Sequence, residues 1–369
     1  MAETVKDGIA ERLAQARRRT LRLIEPLSDD QLNRVYSPIL SPLIWDLGHI
    51  ANFEELWLVQ TIGGREPLRG DLGGLYDAIE QPRRIRGELP ILSADEVRPY
   101  LDEVRERTLE VLGEIELEKS EDPLLRGGFV YEMLLAHEHQ HNETMLQLLQ
   151  LVDGYEPPED EAPPSPAATD GPETVRLEAG SYEIGAGSLD EGFSYDNERR
   201  RHAVELTAFE IDRSPVTNAA FAEFLAATDS EPPQYWRRDG SRWVRTAYGR
   251  EAPPDPAAAV VHVDFHQAEA FAEWAGKRLP SEQEWEAAHD QLAGLGQVWE
   301  WTSSEFTAYP GFEAFPYREY SEAFFDQGYE VLRGGSWAAH PSVIRPSFRN
   351  WDLPQRRQIF AGIRCAWDA

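Results

Sequence analysis

The sequence predicts an α+β chain in which an N-terminal helical bundle precedes a mixed domain of short strands and turns. Three observations predict it. Apolar residues recur at helical spacing through the first 153 positions, a Pro- and acid-rich stretch interrupts the chain at 154–173, and from 174 to 369 short apolar pieces alternate with glycines and aromatics. The spacing places four helices near 5–26, 40–62, 93–117 and 123–152, a four-helix bundle. Ser28-Asp-Asp-Gln31 and Ser93-Ala-Asp-Glu96 have the form of capping boxes, in which each end of the motif satisfies a free backbone N–H at a helix start. The excursion at 63–92 is too long for a bundle turn and is a functional suspect. Pro157-Pro-Glu-Asp-Glu-Ala-Pro-Pro-Ser-Pro166 cannot pack a core and reads as an extended linker at a domain boundary. Beyond it, helical patterns recur only near 217–227 and 266–275.

Composition narrows the function classes. With 369 residues, 41% hydrophobic content and 11 tryptophans, the chain can bury the cores of two domains. Its formal charge of −30 repels nucleic-acid phosphates and anionic lipid, so neither is an expected partner. Cys365 is the only cysteine, which excludes an internal disulfide and any CxxC metal or redox motif. The N-terminus lacks an apolar secretory core and no run approaches the roughly 18 apolar residues of a membrane span, so a cytoplasmic location is expected. A monomer is expected as well.

The chemistry-bearing pattern lies in Leu135-Ala-His-Glu-His-Gln-His-Asn-Glu-Thr-Met145. His137 and His141 are four apart and point from one helix face, where they can share a metal ion, whereas His139 lies about 200° round the helix from His137. A third imidazole is available in Trp45-Asp-Leu-Gly-His-Ile50. Three imidazoles from two helices leave half an octahedron open, and neutral nitrogen donors suit iron(II), copper or zinc.

The second half carries a series of motifs: Pro215-Val-Thr-Asn218, Gly276-Lys-Arg-Leu-Pro-Ser-Glu282 with Glu284-Trp-Glu286, Val298-Trp-Glu-Trp-Thr302, Leu332-Arg-Gly-Gly-Ser-Trp337, and Phe348-Arg-Asn350 with Ala361-Gly-Ile-Arg364. Together they resemble the formylglycine-generating-enzyme (sulfatase-modifying factor) fold, a variant of the C-type lectin fold. Joined to a DinB-like bundle with His49 and the His-x3-His-x-Glu motif, the chain resembles the non-haem iron sulfoxide synthases of ergothioneine biosynthesis, the EgtB family. A true formylglycine-generating enzyme binds copper through paired cysteines, which a chain with Cys365 alone cannot do.

The resemblance implies iron(II) on His49, His137 and His141. It implies hercynine, the trimethylammonium betaine of histidine, bound by Gln140, Glu143, Asn350 and Trp351, the indole offering a π face to the permanent cation. The second substrate it implies is γ-glutamylcysteine, with Arg83 and Arg86 as carboxylate partners, Asp352 as the ammonium partner and Arg356 supporting Asp352. A tyrosine donates a proton in the family. The segment from Tyr309 to Tyr320 offers three, of which Tyr317 is preferred and Tyr309 is the alternative. Forming a C–S bond from C–H and S–H releases two electrons, sulfoxidation releases two more, and dioxygen accepts four. No reductant or organic cofactor is then needed, and the sequence has no GxGxxG or phosphate loop. Competing readings are a related synthase using free cysteine, a selenosugar or free histidine, a non-catalytic metal-binding or lectin-like scaffold, and a zinc-dependent thiol transferase of DinB type.

Overall fold

The computed structural model describes residues 5–117, 121–163 and 172–369. Its contacts divide the chain into two compact units, Met1–Pro158 and Glu159–Ala369. Part of the proposed linker, 164–171, lies outside the described residues; before it, Glu159–Glu161 forms a 3₁₀ turn in which Glu161 is buried.

The first unit contains α1 (Val5–Ile24), a short α2 (Asp29–Asn33), α3 (Leu43–Glu54), α4 (Ala94–Glu114) and α5 (Phe129–Leu149). Helix α1 packs on α5, and α3 packs on both α4 and α5. Both capping boxes form, at Ser28/Gln31 and at Ser93/Glu96. The expected helix at 40–62 differs in kind: it begins after Pro42, and from Glu55 to Ile62 it widens into a π-helix, in which Gly63 N donates to the Leu58 carbonyl five residues back at 3.0 Å. Such widening rotates the following side chains relative to an α-helical register. The last helix starts at Phe129 rather than 123, because Gly127 and Gly128 take φ of 60° and 75°. The excursion is less irregular than its composition suggests, with 3₁₀ turns at Gly73–Leu75 and Arg83–Glu88.

The bundle core holds a saturated charge network. Arg17 bonds Glu54 at 2.8 Å and Glu138 at 2.9 Å, and Arg105 bonds the same two acids. Burial alone would raise the Glu54 carboxyl, but Arg105 and Arg17 outweigh it and hold it at about 2.

Among its described residues the second unit contains four small sheets. Strands β1 (Thr174–Leu177), β4 (Phe209–Asp212) and β12 (Ala366–Asp368) form one in the order β1-β4-β12, and β2 (Gly180–Ile184) pairs with β3 (His202–Leu206). A meander follows from β5 (Trp236–Asp239), β6 (Arg242–Ala247) and β7 (Arg250–Ala252). The fourth has the order β10-β9-β8-β11, from β8 (Trp299–Glu305), β9 (Glu330–Arg333), β10 (Asn350–Asp352) and β11 (Ala361–Gly362). Helices α6 (Asn218–Ala227) and α7 (Phe265–Trp274) lie within a residue of the predicted stretches, and a short α8 (Glu282–Ala288) is added.

The motifs of this half build its frame. Arg349 bonds Glu282 at 2.7 Å, Arg364 bonds Glu300 at 2.6 Å, and Glu300 also accepts the Trp285 indole N–H. Arg333 pairs with Glu286 at 2.5 Å. All three arginines are fully buried. Gly335 is required where it stands: its φ is 80° and a Cβ would lie 2.6 Å from Ile344.

Candidate metal centre

Helices α3 and α5 bring three histidines to one point. One ligand nitrogen from each of His49, His137 and His141 lies within 4.8 Å of the others, the one such group of three or more metal-ligating residues found among the described residues. His49 Nε2 and His137 Nε2 are 3.1 Å apart. Two metal–nitrogen bonds of the usual length at a right angle put their nitrogens about 3 Å apart, so this spacing suits neighbouring ligands of a single ion. Burial, reinforced by the neighbouring imidazoles, holds His49 and His137 well below the ordinary histidine range, so both are neutral donors as ligation demands.

Local packing fixes the first ligand. His49 Nδ1 donates to the Tyr76 carbonyl at 2.7 Å, which leaves Nε2 as the coordinating atom. The Tyr76 ring occupies the space of a missing side chain, since a Cβ on Gly48 would lie 2.2 Å from it. The His49 ring stacks on Trp45 at 4.8 Å, and the Arg86 guanidinium also lies over that indole, 3.6 Å from a ring centroid. Phe53, one turn after His49, stacks on His137 at 3.9 Å. His139 points elsewhere and is 5% exposed, a core histidine.

Comparison with known proteins agrees with this architecture. Residues 12–145 match the DinB superfamily, and 159–295 with 292–369 match the sulfatase-modifying factor enzyme 1-like domain. The chain is 39% identical to the hercynine oxygenase of Mycolicibacterium smegmatis, covering 98% of this chain and 99% of that one. It is 38% identical to the hercynine oxygenase of Mycobacterium tuberculosis, covering 99% and 100%. The chain belongs to the hercynine oxygenase family, EgtB. The formylglycine-generating enzyme of Streptomyces coelicolor is a more distant relative, 29% identical and matching 56% of this chain. As a hercynine oxygenase family member the chain is an oxidoreductase that uses a metal, and the histidine cluster is where its fold can hold one.

Within this family member, the remaining expected residues fall in distinct surroundings. On α5, Glu143 is buried and Gln140 is half-buried; Gln140 immediately precedes His141 and Glu143 lies two residues after it. Arg83 is exposed at the start of its 3₁₀ turn and donates to the Ile39 carbonyl at 3.3 Å. Arg86 is 5% exposed and donates to the Gln81 and Ala78 carbonyls and to the Ser41 hydroxyl. Burial lowers its guanidinium to about 10, partly countered by the charge of Asp46. A 3₁₀ turn eclipses residues three apart, which keeps Arg83 beside Arg86.

In the second unit, Asn350, Trp351 and Asp352 are the three residues of β10, paired with Leu332, Val331 and Glu330 of β9. The Trp351 ring lies on Phe306 at 4.2 Å, with Tyr320 and Phe324 at 5.6 Å. Arg356 Nε is 3.5 Å from Asp352 Oδ1. Tyr317 is half-buried against Tyr320, and burial pushes its phenol well above the ordinary range. Tyr309 sits in the frame instead: its hydroxyl donates to Glu282 and Arg349 covers its ring at 4.0 Å. Sequence reasoning missed Asp46 and Tyr76, the two residues that face histidine Nδ1 atoms. Asp46 was legible, because it lies three residues before His49 and so on the same helix face.

Proposed function

We propose that the chain is an iron(II)- and dioxygen-dependent sulfoxide synthase of ergothioneine biosynthesis, joining the sulfur of γ-glutamylcysteine to C2 of the hercynine imidazole. The observation that carries the metal assignment is the convergence of three imidazole nitrogens within 4.8 Å on two packed helices. Three neutral nitrogen donors leave positions open for substrates, and iron(II) bound there supplies the redox chemistry that dioxygen requires. Overall, one oxygen atom enters the sulfoxide and the other leaves as water. The C–H and S–H hydrogens become that water, and the four electrons balance without a reductant.

The protein's part is to bind, orient and protonate. Arg83 is assigned to a carboxylate of the thiol substrate because it is exposed and, among the described residues, donates a single long bond, to the Ile39 carbonyl at 3.3 Å. Arg86, assigned to the second carboxylate, also braces Trp45. Gln140 and Glu143 are assigned to hercynine on α5, Asn350 and Trp351 to hercynine on β10, and Asp352, braced by Arg356, to the thiol substrate's ammonium. The Trp351 face suits a trimethylammonium group, an attraction of about 0.5–2 kcal/mol. Tyr317 is assigned as proton donor from the family resemblance, and desolvation, which raises its phenol, keeps the proton on it.

The test is incubation of anaerobically iron-loaded protein with hercynine, air and each thiol in turn, followed by product mass. A sulfoxide conjugate of γ-glutamylcysteine and hercynine is expected. A conjugate formed only with cysteine would change the thiol donor, and no dioxygen uptake with any thiol would contradict the oxygenase reading.

A further inference from the structure

We infer that Asp46 is a positioning residue for His141: its buried carboxylate accepts the imidazole Nδ1–H and so presents Nε2 to the metal. The inference rests on the metal-site reading above and deepens it. Asp46 Oδ1 lies 3.4 Å from His141 Nδ1, and Asp46 is 1% exposed. Among the described residues neither Asp46 oxygen has a formed hydrogen bond, nor does His141 Nδ1. A carboxylate withdrawn from water without bonds is strongly disfavoured, so one kept at such a position calls for a partner. Arg86 tempers its charge from nearby, but the three hydrogen bonds it donates go to Gln81, Ala78 and Ser41 and none goes to Asp46. The donor that faces Asp46 is the His141 ring, and the 3.4 Å gap closes to a hydrogen bond with a small turn of the imidazole.

The arrangement repeats a device already formed at the first ligand. His49 has its Nδ1 held by the Tyr76 carbonyl, and His141 has its Nδ1 facing a carboxylate. Helix α3 thus contributes a ligand at His49 and an orienting group one turn before it. A carboxylate behind a ligating imidazole fixes the tautomer and makes the coordinating nitrogen a stronger donor, and loss of such a partner weakens metal binding about 10–100-fold.

The test titrates zinc(II) into the full-length, metal-free chain against a competing chelator. Asp46→Asn, which keeps size and removes charge, is expected to weaken binding about 10–100-fold while leaving the thermal midpoint of the metal-free protein unchanged. In a His141→Ala background the same substitution should have no further effect, because its target is gone. Nitrogen-15 spectra of the zinc-loaded wild type need no variant and should show His141 protonated at Nδ1. Wild-type affinity in Asp46→Asn, an undiminished effect in His141→Ala, or a deprotonated His141 Nδ1 would each overturn the assignment. If the wild type fails to bind zinc, or His141→Ala binds it as well as the wild type, the metal site itself is lost and Asp46 with it.

Discussion

The arginine–glutamate frame of the second unit and the histidine cluster of the bundle bury polar groups in different ways. In the second unit, Arg333, Arg349 and Arg364 are fully enclosed and each is paired with a glutamate. At the histidine cluster of the bundle, the Nδ1 atoms of His137 and His141 and both oxygens of Asp46 are enclosed without a formed hydrogen bond. Closed ion pairs stabilise a frame, whereas open donors and acceptors gathered behind three converging ligand nitrogens mark a site. The bundle contains both kinds within one helix, since Glu138 is locked to Arg17 and Arg105 beside the open His137.

That contrast fails most visibly if a frame pair proves dispensable. Arg364→Ala strands Glu300 in the core and should destabilise the protein by about 3–5 kcal/mol in chemical denaturation, without acting through metal binding. A loss below about 1 kcal/mol would show that the frame tolerates an unpaired charge. Tyr317→Phe tests a group assigned to chemistry, and should slow C–S coupling about 10²–10⁴-fold while substrate binding and stability persist. Coupling at the wild-type rate would remove Tyr317 from the reaction.

An acid titration separates the saturated network of the bundle from its surroundings. The Glu54 carboxyl is held at about 2 in the fold against 4.5 unperturbed, so its stabilisation is fully present above pH 4.5 and is lost as pH falls toward 2. By linkage this amounts to about 3 kcal/mol, and Glu54→Gln should flatten that limb of the stability profile. An unchanged acid limb in the variant would mean that the Arg17 and Arg105 pairs do not hold Glu54 ionised.

The finest comparison is between two arginines three residues apart. Arg83→Ala should cost on the order of 2–3 kcal/mol in kcat/KM for γ-glutamylcysteine with an unchanged melting temperature. Arg86→Ala should lower the melting temperature as well, because it unties Ser41, Ala78 and Gln81 and bares Trp45. Equal melting temperatures for the two variants would show that Arg86 braces nothing.

Much of this was legible in the sequence because it is local. Helical spacing, the capping boxes at Ser28 and Ser93, and the i,i+4 pair of His137 and His141 depend on neighbours within a turn. The π-helical end of the His49 helix was not legible, since Glu55–Ile62 carries an ordinary apolar pattern. Nor were the frame pairs: Arg349 and Glu282 are 67 residues apart, and only the folded sheet brings them together. Nothing in the sequence marks Arg86 as buried while Arg83 is exposed, and its burial follows from the indole of Trp45 and the carbonyls of a turn that composition alone leaves irregular.

The central claim is a single metal held by His49, His137 and His141. Elemental analysis of iron-loaded wild type, His137→Ala and His139→Ala tests it most directly. The account predicts about one iron per chain in the wild type and in His139→Ala, with loss of iron in His137→Ala because two imidazoles cannot retain it. Full iron occupancy in His137→Ala would contradict it.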